Sequence, residues 1–299
     1  MLKEDIVIVS GGDAKYFHLL LELAQSLSSQ PESNDYKLAF LDGGLENQQC
    51  SDLKALGASI VVPGWCHPLA KKKCKGRDYL KINIAKLHLD QLFPEAKIII
   101  WVDGDTWFQN LIAIKLFVTV AKKGKLAIVS QASRLQESHI AYRQKLFGLV
   151  ELRNILYKNA RKAALPKHLI NNLMAKPTLN AGAYALMQNA PHWERFRYWQ
   201  DIILKRGRLF TSDQLAFGLT VFSDGFPYEA LPDICNYRGP WRWDEEKRIF
   251  VDYYAPYDEV SIMHLCGQDE IRDNPEYCTS MLNQKDEEIS KPLRYSMVK

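Results

Sequence analysis

The chain has 299 residues, of which 47% are hydrophobic and 25% charged, and its net charge is +4. That is the balance of a folded globular protein long enough for a well-buried core, as one large domain or two medium ones. So mild a basic excess falls short of a dedicated nucleic-acid binder, where a stronger excess and a clustered face are expected, and it suits phosphate-bearing ligands or an anionic surface.

In chain order, Asp5 to Ser10 (DIVIVS) reads as a buried strand, and Gly11-Gly12-Asp13 as a tight turn. The N-terminal stretch lacks the apolar region and cleavage site of a signal peptide, so a cytoplasmic location is expected. No run approaches the roughly 20 apolar residues that cross a bilayer. From Ala14 to Ser28, Phe17, Leu20, Ala24 and Leu27 recur at helical spacing. YKLAFLDGG is a second strand, ENQQCSDLKALG a short helix closed by Gly57, and ASIVVPG a third strand. Strands without polar alternation imply a parallel sheet covered on both faces, hence an α/β fold with a Rossmann-like first half.

CHPLAKKKCKGRDY reads as a loop with five basic residues between Lys71 and Arg77. It is expected to be a solvated face, or else a weak peripheral contact with an anionic acceptor or the inner face of a membrane. The six cysteines are scattered, which argues against a disulfide framework. Cys66, His67 and Cys74 match no standard zinc spacing and are read as a histidine and free thiols in that loop. LKINIAKLHLDQLFP is a helix stopped by Pro94; AKIIIWVDGDTWFQN contains the fourth strand and GKLAIVSQ the fifth. Arg134 to Lys176 reads as polar and helical, with no strand signal. KPTLNAGAYALMQ is a strand broken at Gly182, and PHWERFRYWQDIILKRG a helix from Pro191 to Gly207. TSDQLAFGLTVF opens a helix at Thr211 or Ser212. Shorter strands, including VSIMHLCG, and a polar tail complete the chain. Neither a GxGxxG nor a Walker loop follows any strand, so dinucleotide and P-loop readings lack their motifs.

Asp103 and Asp105 end an apolar strand with Gly104 between them. Two carboxylates so spaced can reach one divalent cation if the chain turns, and oxygen ligands favour magnesium or manganese. The bland alternative is a capped turn with Asp105 in solvent. A haloacid-dehalogenase-type phosphatase also places DxD after a strand, but Trp107 stands where that family has Thr or Val.

Five features in order resemble GT-A fold glycosyltransferases, and among them family 8, the group of glycogenin and the lipopolysaccharide galactosyltransferases. They are IVIVSGGD, AKLHLDQLFPEAKIIIWVDGD, LNAGAYALM, SDQLAF and MHLCG, and LPDICNYR is a weaker sixth. The resemblance runs from about Asp5 to Gly267. It implies a GT-A fold with a mixed, mostly parallel central sheet flanked by helices. It also implies one domain over 1–299: a nucleotide-binding half at 1–130, a helical insertion at 131–176, a donor and acceptor half at 177–267, and a tail at 268–299.

The activity implied is metal-dependent transfer of a hexose from a UDP-sugar to a glycan, lipid-linked or other hydroxyl acceptor, with retention of anomeric configuration. Asp103, Asp105 and His264 are then ligands of Mn2+ or Mg2+. Asp13 and Tyr16 lie on the uracil side, and Lys86 contacts the diphosphate or the sugar. Gly104, Asn180, Ala181, Gly182 and Gly267 line the donor. Asp213 bonds sugar hydroxyls, and Gln214 sits beneath the anomeric carbon. After its HxxG the family continues Lys-Pro-Trp, whereas this chain reads QDEIRD, making Arg272 the candidate replacement for the phosphate-binding lysine. That departure keeps open a catalytically weak nucleotide-sugar binding protein. Arg134–Lys176 and Tyr237–Glu246 are candidate acceptor elements, with Trp241 and Trp243 as stacking residues or core.

Overall fold

The computed structural model describes residues 6–132, 141–144, 148 and 150–298. β1 (Ile6–Gly12), β2 (Lys37–Asp42) and β3 (Ser59–Val61) are parallel neighbours linked through α1 (Phe17–Ser28) and α2 (Asn47–Ala55). Three short helices, α3 (Pro68–Lys73), α4 (Leu80–Ala85) and α5 (Leu89–Leu92), lead to β4 (Ile98–Val102), which lies parallel to β1. β5 (Thr106–Phe108), α6 (Ile112–Ala121) and β6 (Leu126–Ser130) follow. An antiparallel ribbon of β7 (Ala141–Gln144) and β8 (Val150–Arg153) precedes α7 (Ile155–Lys162) and α8 (Lys167–Leu173).

β9 (Leu179–Met187) inserts between β4 and β6, antiparallel to both. α9 (His192–Arg206) and α10 (Ser212–Phe222) bring the chain to β10 (Tyr228–Leu231), parallel to β6. The central sheet therefore has seven strands in the order β10-β6-β9-β4-β1-β2-β3, mixed but mostly parallel. The rest comprises β11 (Trp241–Asp244), β12 (Ile249–Asp252), β13 (Ile262–His264), α11 (Asp269–Asp273), β14 (Cys278–Asn283), β15 (Glu288–Pro292) and α12 (Tyr295–Val298). A second sheet runs β12-β11-β14-β15, and β13 pairs with β5.

The β-branched runs of the middle strands suit a pleated, doubly covered sheet. Side chains alternate across it. Val7, Val9, Ile99 and Trp101 pack on one side with α9 and α10 residues. Ile6, Ile8, Ile98, Ile100 and Val102 pack on the other with α1 and α6. Burying each such chain contributes about 1.5–3 kcal/mol. No helix among the described residues is long and apolar enough to cross a membrane.

Several sequence expectations change. The segment 134–176 was expected to be helical. Its described part holds the β7–β8 ribbon before α7 and α8, while 133–140, 145–147 and 149 lie outside the described residues. Four-residue strands are too short for their alternation to stand out from a polar helix. The basic loop contains α3, whose first turn is capped by the His67 ring accepting from Leu69 N at 3.2 Å. His67 also pairs with Asp201, and Cys74 donates to Lys71 O, so these two side chains are engaged apart from any shared metal. The helix expected from Leu80 up to Pro94 is two short helices joined by a 3₁₀ turn at Lys86–His88.

The strand through Gly182 is unbroken over nine residues, with the irregularity falling in its pairing to β6. Trp241 and Trp243 are buried with Phe250 in the core of the smaller sheet, which removes them as stacking residues. The expected C-terminal tail is integral to the fold. Buried Arg294 makes two bonds to Glu22 of α1, at 2.8 and 2.9 Å, and Trp107 Nε1 donates to Leu293 O.

Candidate active site

In open α/β sheets ligands bind beyond the carboxyl ends of the parallel strands. The ends of β1 and β4 lie side by side there. A Cβ at Gly104 would come within 2.9 Å of Gly11 O and 2.7 Å of Leu20 Cδ2, so only glycine lets the Asp-Gly-Asp turn lie against β1. A cleft of about 560 Å³ opens at this edge. Asp13, Tyr16, Lys86, Asp103, Gly104 and Asp105 line it. Asn180, Ala181 and Gly182 of β9, Asp213 and Gln214 of α10, and His264 of β13 complete the set expected from the sequence. Gly267, also expected, is exposed with φ 75° in the turn beyond and is not part of the lining.

Each acid divides its oxygens. Asp103 Oδ1 accepts from Lys86 Nζ at 2.6 Å and Trp101 Nε1 at 2.8 Å, and its Oδ2 lies 3.8 Å from His264 Nε2. Asp105 Oδ2 accepts from Arg272 Nη1 at 3.0 Å, and its Oδ1 lies 3.2 Å from His264 Nε2. One ligand atom from each of the three residues falls within 4.8 Å of the others. Bonds of about 2.1 Å in octahedral geometry hold adjacent ligands about 3 Å apart and opposite ones about 4.2 Å apart, so the set can close on a small divalent cation. The His264 Nδ1–H donates to Asn236 Oδ1 at 2.6 Å, because an amide oxygen only accepts. The Nε2 lone pair is thereby turned to the carboxylates, as a metal-binding imidazole requires. At Gly182 a side chain would collide with the His264 ring, so this glycine makes room for the imidazole. Two oxygens and one imidazole nitrogen suit manganese better than calcium, which takes all-oxygen ligand sets.

The charges follow the same plan. Lys86 is buried, with Asp103 on one side and Asp213 Oδ2 at 3.6 Å on the other. Burial pulls its pKa down, but the two carboxylates outweigh it and leave the ammonium above the ordinary lysine value. Tyr184 OH fixes the turn beneath by donating to Lys86 O at 2.5 Å. Asp213 is held above the usual carboxylate range by burial, against the pull of Lys86 and of the Gln214 N–H that it accepts. Burial would also raise Asp105, but His264, Arg272 and a backbone hydrogen bond together bring it down to about 2. Arg272 stands above the Tyr16 ring and also bonds the exposed Asp269, which it neutralises.

Sequence reasoning overlooked Trp101 as an orienting residue. Its signal was available, since residues two apart in a strand share a face, and Trp101 and Asp103 are so spaced. Gln131 also lines the cleft, one residue past β6, at a carboxyl end that the same strand rule marks. Asn236 falls inside LPDICNYR, the weaker sixth feature, but its contact with His264 had no local signal: it lies outside any strand and reaches the ring only through the tertiary fold.

No protein-family model and no curated sequence matches the chain. Among solved structures, the galactosyltransferase LgtC in complex with donor and acceptor sugar analogs matches with a TM-score of 0.53 at 15% identity, covering 87% of each chain. An active-site mutant of LgtC gives 0.51 at 14% identity over 87% of each chain. The apo bifunctional glycosyltransferase WbbM gives 0.53 at 12% identity, covering 88% of this chain and 46% of that one. The chain has the GT-A fold of these glycosyltransferases, an α/β architecture with a mostly parallel sheet flanked by helices.

Proposed function

We propose that the protein is a metal-dependent glycosyltransferase that moves a hexose from a UDP-sugar to a hydroxyl acceptor, with retention of anomeric configuration. The observation that carries this reading is the convergence of Asp103, Asp105 and His264 at the strand ends of a GT-A fold. LgtC, which shares that fold, was crystallised with donor and acceptor sugar analogs. A haloacid-dehalogenase phosphatase is set aside by the same fold.

Asp103, Asp105 and His264 would hold Mn2+ or Mg2+, which when bound neutralises charge on the leaving diphosphate. Arg272 faces the same point from α11 and supplies the phosphate contact otherwise missing after His264. Lys86 orients Asp103 and offers a second cation beside the sugar side of the cleft. Asp13 and Tyr16 flank the uracil end, where Asp13 caps the turn by accepting from Tyr16 N. Asn180 Nδ2 is buried without a hydrogen-bond partner, a donor suited to a sugar hydroxyl.

Asp213 has one oxygen on the Gln214 N–H and the other facing Lys86, which holds it for hydroxyl recognition and away from attack on carbon. Gln214 beneath the anomeric carbon is no nucleophile. Retention therefore proceeds on one face: the bond from the anomeric carbon to the diphosphate oxygen breaks, the acceptor oxygen bonds the same face, and its proton passes to the leaving phosphate. Alignment of acceptor and donor in the cleft supplies much of the rate.

The test is a panel of UDP-hexoses with and without Mn2+, read as UDP release and as product linkage by NMR. Metal-dependent UDP release with retained configuration is expected. Release of phosphate from simple monoesters, with no UDP released from any donor, would contradict the reading.

A further inference from the structure

A second groove of about 510 Å³ adjoins the donor cleft, between α7 and the turn joining α9 to α10. Among the described residues, every charged side chain lining it is a cation: Lys158, Arg161 and Lys162 of α7, and Arg208 beyond α9. Cations in the last turn of α7 would complement that helix's own dipole. The dipole does not account for Lys158, a turn earlier, or for Arg208, which comes from another element.

Thr211 lines both the groove and the donor cleft. Its φ of 71° is a left-handed conformation rare for a β-branched residue, and such strain concentrates at functional sites. Asn159 of α7 holds it by donating to its hydroxyl at 3.0 Å. Two residues on stands Asp213, then Gln214. α7 also packs directly on α10, where a Cβ on Gly218 would lie 3.1 Å from both Leu156 methyl groups. A group seated among these cations is thus held at a fixed offset from the residues that face the donor sugar.

We infer that this groove receives a phosphate group carried by the acceptor, so that the acceptor is a phosphorylated glycan. The inference rests on reading the neighbouring cleft as the site of glycosyl transfer. Arg208 offers a planar fork for phosphate oxygens, and Lys158 and Lys162 add point charges. The groove's continuity with the cleft at Thr211 makes it a part of acceptor recognition.

The test is calorimetry in the presence of UDP and Mn2+, with phosphorylated saccharides and their neutral counterparts as probes. Wild type is compared with the Lys162→Gln/Arg208→Gln double variant. Phosphorylated probes should bind at least about tenfold more tightly than neutral ones to wild type, and the double variant should lose that preference. UDP binding should be the same in both proteins, and its absence in wild type would count against the transferase reading, not against the groove. Equal binding of both probe sets, no binding of any phosphorylated probe, or a preference that survives in the double variant would overturn the inference. So would sedimentation with phosphatidylglycerol vesicles that the double variant loses while saccharides are not discriminated, since the cations would then serve a lipid surface.

Discussion

His264 Nδ1 lies 2.6 Å from Asn236 Oδ1, and this buried bond aims Nε2 at Asp103 and Asp105. Asn236 Nδ2 has no partner of its own, so the amide's evident work is to orient the imidazole. Asn236→Leu leaves the buried His264 Nδ1–H unpaired, so it should cost about 1–3 kcal/mol of stability and weaken Mn2+ affinity by about 10–100-fold. Titration of Mn2+ in the presence of UDP checks this, and an unchanged affinity would show that His264 needs no orienting partner.

Gly182 gives a steric version of the same test. A Cβ there would collide with His264 Cε1 and lie 3.1 Å from Asn180 Oδ1. Gly182→Ala should keep the fold, since β9 runs unbroken over nine residues, and should abolish metal-dependent UDP binding by displacing the ring. Circular dichroism with the same titration separates the two effects. Wild-type metal affinity in this variant would mean that the ring is not where the metal binds.

Lys86 sits between Asp103 and Asp213, and its removal leaves Asp213 charged and buried alone. Lys86→Met should destabilise the fold by about 3–5 kcal/mol in urea denaturation. Adding Asp213→Asn should recover a large part of that loss, because the uncompensated charge goes with it. Additive losses in the double variant would show that the two side chains are not coupled.

Two buried histidines away from the cleft set the acid limit. Burial, the largest influence on each, holds His88 and His192 below the ordinary value of 6.5 despite hydrogen bonds that favour the charged form. The unfolded chain therefore binds protons at these sites before the folded chain does. Their contribution to stability is fully present above 6.5 and is lost as the pH falls through the depressed folded-state values. The denaturation midpoint should fall from about pH 7 to about pH 5, and His192→Phe should flatten that dependence. The rings of Phe196 and Phe226 already pack against His192, so the replacement is accommodated. An unchanged slope would mean that His192 titrates alike in both states.

The central sheet was legible because Ile6–Val9 and Ile98–Val102 carry continuous apolar runs that only a doubly covered strand can bury. The acids were legible because a glycine between two aspartates at a strand end is a local signal. Lys86 was expected, from the resemblance, to contact the diphosphate or the sugar. Its burial depends on β4 and α10 closing over the turn at Lys86–His88, which no local pattern encodes. Trp241 and Trp243 were ambiguous for the same reason, since stacking and core packing use one residue type. The tail at 268–299 looked polar because β14 and β15 bury few side chains, and its anchor is the distant Arg294–Glu22 pair. Asn236 and α7 lay in segments that the sequence singled out, LPDICNYR and Arg134–Lys176, but the Asn236–His264 bond and the groove beside α7 were not legible because each is assembled from segments far apart in sequence.

Calorimetry of UDP binding, with and without Mn2+, on wild type and Asp105→Ala tests the metal clamp most directly. The expected result is UDP binding by wild type that strengthens at least about tenfold with Mn2+, and loss of that enhancement in Asp105→Ala. UDP binding that ignores the metal, or no UDP binding in either protein, would contradict it.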